Sequence, residues 1–247
     1  MLFKDHFTKS ASRYRKYRPH YPENLFRFLA SVSPDRKAAW DCATGSGQAA
    51  GGIARYFERV FATDASAGQV RNAERTPGVD YLVSLAESAA FKDASIDLAI
   101  SAQAAHWFDL DLFYSEAQRV VKPGGIVSIW CYSLFRINPS IDRVIDALYS
   151  DILGPYWPAE RKLIDEHYVP MYFPFPEFPA PAFEMEASWG LAHLIGYLGT
   201  WSSVNRFREA RGLDPITLVH EEISRAWGEP EAARRVVWPI HMRIGRR

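Results

Sequence analysis

The residues whose types and spacing could do chemistry cluster first at 40–52, Trp-Asp-Cys-Ala-Thr-Gly-Ser-Gly-Gln-Ala-Ala-Gly-Gly. Gly45, Gly47 and Gly51 make a turn of small residues whose backbone can press against a ligand. Gly45-Ser46-Gly47-Gln48-Ala49-Ala50 satisfies the loose pattern G-x-G-x-x-A, which alone would indicate a dinucleotide and an NAD(P)-dependent oxidoreductase. Asp64 ends the next apolar run, 23 residues after Asp41. A carboxylate there can accept both hydroxyls of an adenosine ribose, whichever adenosine cofactor is present. Its plainer role would be an N-cap for a helix starting near Ser66.

Asp41 separates the candidates. It ends the first apolar run, four positions before Gly45, at the floor of the turn. A dinucleotide places its pyrophosphate at this helix N-terminus, and a nearby carboxylate would oppose that anion. S-adenosylmethionine instead offers an ammonium group and a sulfonium cation, which an acid favours directly or through water and backbone. The residue types therefore point to a methyl donor.

Around this turn the chain alternates short strands and helices. "KAAWDCA" reads as strand, "GQAAGGIARYF" as helix, "RVFATD" as strand and "SAGQVRNAER" as helix. "VDYLVS" and "SIDLAISA" are further strands, followed by helix "LDLFYSEAQRVV", turn "KPGG" and strand "IVSIWCYS". This rhythm implies right-handed β-α-β units and a parallel sheet covered on both faces. After Ser133 it breaks. "NPSIDRVIDALYSDIL" reads as a helix, and residues 155–182 carry seven of the sixteen prolines among many aromatics, as a structured cap would. "AFEMEASW" and "RVVWPIHMRIG" alternate as strands, with helices "LAHLIGYL" and "SVNRFREARG" between them. Pro239 requires an edge segment or a bulge in the last strand. The expected architecture is a doubly wound, Rossmann-like α/β fold with a seven-stranded, mostly parallel sheet, an antiparallel last strand and a helical, aromatic lid. Its parts are an N-terminal lid with the first helices (1–34), a cofactor-binding core (35–133), a substrate insertion (134–182) and a C-terminal part (183–247) that completes the sheet and adds substrate-side helices.

The 247 residues suffice for one such domain, and 48% hydrophobic with 23% charged residues is ordinary for a water-soluble globule. The formal net charge is zero, which removes any global attraction to nucleic acid or an anionic membrane. Only Cys42 and Cys131 occur, too few for a disulfide framework and without metal-ligand spacing. With no signal-like leader or long apolar span, a cytoplasmic location is expected, as a monomer or homodimer.

On these motifs the chain resembles class I S-adenosylmethionine-dependent methyltransferases of the type 11, UbiE-like group. Within it, the chain is similar to the trans-aconitate methyltransferase-like branch through "YRKYRPHYP", "QAAHWFD", "GYLGTWSSV" and "WPIHMRIGRR". The family motif D-x-G-x-G-x-G appears as Asp41-Cys42-Ala43-Thr44-Gly45-Ser46-Gly47, with Ala43 replacing the first glycine. The resemblance implies S-adenosylmethionine as cofactor, with S-adenosylhomocysteine as product. It implies that Tyr14, Asp41, Ala43, Thr44, Gly45, Gly47 and Gln48 bind the cofactor. Asp64, Ala65 and Gln69 fall on the ribose side, Ala86 and Glu87 at adenine and Gln103 at the rim of the fourth strand. "KPGG" is the core's structural turn.

Strand four ends at Ser101, which puts Gln103, His106 and Trp107 beside the reactive methyl. His106 could be a general base, a donor to a substrate oxygen or an ordering residue for the lid. Arg18, Tyr21, Trp107, Tyr197 and Trp201 are expected around the acceptor, with Arg18 able to pair with a carboxylate. The N/D-P-P-Y motif of base and glutamine methyltransferases is absent here, and the branch often has Arg where this chain has Gly199. Asp109 and Asp111 read as cap and first-turn acids of a helix, and no metal is expected. The implied acceptor is a small molecule, an organic acid or natural product; an NAD(P)-dependent oxidoreductase and a cofactor-binding protein without turnover are the alternatives.

Overall fold

In the computed structural model, which describes residues 17–247, seven strands form one sheet. These are β1 (Ala38–Cys42), β2 (Arg59–Asp64), β3 (Val79–Val83), β4 (Ile96–Ala102), β5 (Val121–Tyr132), β6 (Phe183–Trp189) and β7 (Arg234–Arg246). Their order is β3-β2-β1-β4-β5-β7-β6. All neighbours among the first five are parallel, whereas β7 runs antiparallel to both β5 and β6. The strand order reverses between β1 and β4. The crevice beyond their carboxyl ends is where a doubly wound sheet receives its ligand.

Nine α-helices accompany the sheet among the described residues: α1 (Glu23–Val32), α2 (Gln48–Ile53), α3 (Ala67–Asn72), α4 (Leu110–Val120), α5 (Pro139–Ala147), α6 (Arg161–Asp165), α7 (Leu191–Leu198), α8 (Ser202–Arg211) and α9 (His220–Trp227). Two apolar cores result, one on each face. Leu29, Ile53, Leu98, Trp130 and Trp238 lie in the first, and Trp40, Ala99, Phe113, Val127 and Tyr168 in the second. Because both faces are covered, β4 is buried along nearly its whole length, which explains its continuous apolar run. No helix among the described residues is long and apolar enough to cross a membrane.

Several elements depart from the sequence pattern for physical reasons. Helix α2 stops at Ile53, well short of Phe57, because Gly51 and Gly52 weaken it. Gly52 is nonetheless required, since a Cβ there would lie 2.1 Å from the Phe26 ring of α1. Helix α5 ends at Ala147 and continues as a π turn over Leu148–Ile152. "KPGG" is absorbed into β5 as an irregularity, with the register against β4 shifting between Ile96 and Leu98. Helix α9 and the 3-10 turn before it, Pro215–Leu218, add to the elements expected from the sequence. Pro239 sits in the run where β7 pairs without interruption to β6, opposite Glu184. On its other side β5 has ended, and the Pro239 carbonyl accepts from Ser133 beyond it. Its missing N–H therefore costs the ladder nothing.

Buried Asp97, early in β4, fixes the other end of the sheet. Its Oδ2 accepts the Lys37 and Ala38 amides at 3.1 and 2.9 Å, and its Oδ1 pairs with Lys122 Nζ at 2.5 Å.

Candidate active site

The turn after β1 is held open by its own backbone. Ala43 and Gly45 take left-handed φ values of 57° and 55°, and Gly47 follows at 84° as the N-cap of α2. A Cβ built on Gly45 meets nothing within 4 Å, so the space before the turn is clear. A Cβ on Gly47 would lie 2.7 Å from the Tyr81 hydroxyl, so that position must be glycine on both counts. Ala43 adopts the strained conformation that glycine takes in the family motif, so the turn keeps its shape despite the substitution.

Asp64 ties this turn to the next. Its Oδ2 accepts the Gly45 amide at 2.9 Å and its Oδ1 the Ser66 amide at 2.8 Å. A carboxylate at this strand end is of the type that can accept ribose hydroxyls. The cap of α3 is Ser66, whose Oγ accepts from Gln69, and not Asp64. Ala65 and Gln69 are half-buried beside it.

Asp41 lies wholly behind the turn. Thr44 donates its hydroxyl to Oδ2 at 2.6 Å, and Oδ1 has no hydrogen-bond partner. Burial pushes its carboxyl up to about 7, against the pull of the Thr44 hydroxyl and the Ala50 amide, and the Asp64 charge adds to the rise. A cation beyond the turn would favour the ionised form. Asp41 thus meets the turn through the Thr44 hydroxyl. An open glycine cradle, an acid at the end of β2 and the unpartnered buried Oδ1 of Asp41 suit S-adenosylmethionine.

Comparison with known proteins agrees. The type 11 methyltransferase domain matches residues 40–129. A Dictyostelium discoideum protein named as a methyltransferase is 31% identical over 252 residues, covering 99% of this chain and 96% of that protein. The chain belongs to the S-adenosylmethionine-dependent methyltransferases. A structure described as a type II methyltransferase, from Anaeromyxobacter dehalogenans, is 46% identical with a TM-score of 0.89, over 93% of this chain and 98% of that one. Membership resolves the ambiguity of G-x-G-x-x-A: the cofactor of this methyltransferase is S-adenosylmethionine.

In the segment expected to face adenine, Ala86 is buried, and Glu87 Oε1 accepts the Asp109 amide at 3.1 Å. Asp109 in turn caps α4, with Asp111 in its first turn, as their spacing implied. At the rim, Gln103 takes φ 58° and accepts the Tyr132 amide on Oε1 at 2.7 Å. The Tyr132 hydroxyl accepts from Arg18 at 2.5 Å, and the Arg18 guanidinium lies 5.0 Å over the Tyr197 ring. Gln48 Nε2 donates to the Pro19 carbonyl at 2.9 Å. The segment from Tyr17 onward is thereby fastened to both the glycine turn and the end of β5, with Tyr21 edge-on to Trp130. Tyr14 lies outside the described residues.

His106, in a 3-10 turn at Ala105–Trp107, is buried and bonds through Nδ1 to the Tyr168 hydroxyl at 2.8 Å. Burial, with the charge of Arg161, pushes its imidazole down to about 3. It is therefore neutral at physiological pH and a poor base. Trp107 beside it is 37% exposed. Tyr197 and Trp201 sit deeper than expected. Tyr197 accepts from Trp238 Nε1 at 3.1 Å, and Trp201 packs among Phe135, Tyr149 and Trp157. Sequence reasoning missed Tyr132, Tyr149, Tyr168 and Arg161. Only the density of aromatic residues at 155–182 pointed toward any of them.

Proposed function

We propose that this methyltransferase acts on a small organic molecule whose attacking atom needs no base from the protein. The reading is carried by neutral, buried His106 at the rim, which bonds to Tyr168 and packs against the insertion through α6. Bound at the glycine turn, the cofactor supplies an electrophilic methyl group. The Gly45 and Gly47 backbone, Asp64 and the Ala86–Glu87 segment would hold it. Asp41 favours its positive charge from behind. The neighbouring tyrosines cannot serve as bases: burial drives the Tyr168 and Tyr149 phenols upward, and it pushes Cys131 up to about 12. The acceptor must therefore arrive already nucleophilic, as a carboxylate, an amine lone pair or a thiolate. Catalysis rests on alignment and exclusion of water by the segment before α1 and the insertion.

An assay of S-adenosylhomocysteine release against a panel of small acids, amines, thiols and phenols tests this. Turnover is expected with acids or amines and not with unactivated alcohols. Transfer of labelled methyl groups into only the macromolecular fraction of an extract would overturn it.

A further inference from the structure

The insertion places one guanidinium on the rim with donors to spare. Arg161 opens α6, which packs against the 3-10 turn carrying His106. Its charge is felt at His106, Cys131 and Tyr168, at the ends of β4 and β5. The group lies 5.3 Å over the Tyr149 ring and 4.8 Å over Trp157, and its side chain is only 18% exposed. Both its hydrogen bonds leave from Nε, to the Tyr149 hydroxyl at 2.6 Å and Asp165 Oδ1 at 3.3 Å. Neither terminal amino group donates to a partner among the described residues.

Arginines that hold this fold together behave differently. Arg119 spends both terminal nitrogens on the Phe91 and Ala89 carbonyls and on Asp93 and Glu116. Arg243 does likewise with Glu177 and the Tyr168 and Met171 carbonyls. Arg59 and Arg211 also donate through Nε alone, but they lie on the exposed surface, where water takes the terminal nitrogens. Arg161 is oriented from its Nε side and clamped between aromatic rings, leaving its planar outer fork uncommitted. Burial opposes its charge, yet Tyr149 and Asp165 hold it above the ordinary arginine value, so the fork is always cationic. Such a fork matches a planar carboxylate bidentately, and the flanking rings suit a flat or unsaturated body.

We infer that Arg161 anchors a carboxylate of the methyl acceptor, which makes it a specificity-determining residue. This rests on the small-molecule reading above and narrows it to organic acids.

Probes are benzoate, cinnamate, succinate and citrate, each beside its amide, titrated calorimetrically into protein saturated with S-adenosylhomocysteine. At least one acid should bind tenfold or more tightly than its amide. Arg161→Gln should abolish that preference, and Arg161→Lys, with charge but no fork, should restore only part of it. In the unmodified protein the same acid, and not its amide, should protect Arg161 at least threefold from phenylglyoxal, read by peptide mass spectrometry. That footprint decides the matter if Arg161→Gln does not fold. Absence of any acid preference, an equal preference in Arg161→Gln or unprotected Arg161 would overturn the assignment while leaving the cofactor reading intact. Failure of S-adenosylhomocysteine to bind would overturn both.

Discussion

Replacing Ala43 by glycine should stabilise the protein. An L-residue in the left-handed region costs roughly 1–2 kcal/mol, and Ala43 is held there at φ 57°. Glycine relieves that cost but adds roughly 0.5–1 kcal/mol of unfolded-chain entropy. The net expectation is about 0.5–1 kcal/mol in favour of Ala43→Gly. For a chain of this length that is an increase in Tm of about 1–4 °C. Ala94, exposed and at φ 48° in the loop before β4, supplies the control, because the same relief applies far from the cofactor turn. Differential scanning calorimetry of both variants, without and with S-adenosylhomocysteine, reads the effect. A rise for Ala94→Gly with a fall for Ala43→Gly would refute the reasoning, showing that the Ala43 methyl makes contacts worth more than its strain.

Three other outcomes follow from the geometry. His106 is kept neutral, its imidazole falling from the ordinary 6.5 to about 3, so the unfolded chain binds the extra proton first. Its contribution is complete above about pH 6.5 and is lost as pH falls toward 3, at up to about 1.4 kcal/mol per unit. Urea melts of His106→Gln should therefore show a shallower loss between pH 6.5 and 4, and parallel curves would contradict this. Asp64→Asn puts an amide nitrogen where an acceptor is needed by Gly45 or Ser66, and should weaken S-adenosylhomocysteine about 10–100-fold by calorimetry. An unchanged Kd would show that Asp64 does not serve the cofactor. Asp97→Ala leaves two amides and Lys122 without their acceptor and should cost about 3–5 kcal/mol in denaturant melts. Cofactor affinity of the folded fraction should not change.

What could be read from the chain was what is local. Alternating apolar strands, the glycine turn and Asp64 at the end of β2 each depend on neighbours a few residues away. The covered faces of β4 follow from its unbroken apolar run. What escaped depends on distant partners. His106 meets Tyr168 sixty-two positions later, and burial with the charge of distant Arg161, and not the imidazole itself, decides that it is no base. Tyr197 and Trp201 looked like pocket walls but fill the junction of β7 with the insertion, because Trp238 and Phe135 converge there. Arg161 carries no local signal, because only the fold sets Tyr149 and Trp157 against its guanidinium. Helix α9 carried its own pattern, with Ile223 and Trp227 one turn apart facing the core, but its polar first turn hid it.

Asp64 has a mechanical consequence as well as a chemical one. By gripping an amide from each of two successive loops, with Thr44 also donating to the Thr63 carbonyl, it rivets the floor of the crevice into a single unyielding plate. The segment from Tyr17 onward is tied to that plate through the bond from Gln48 to Pro19.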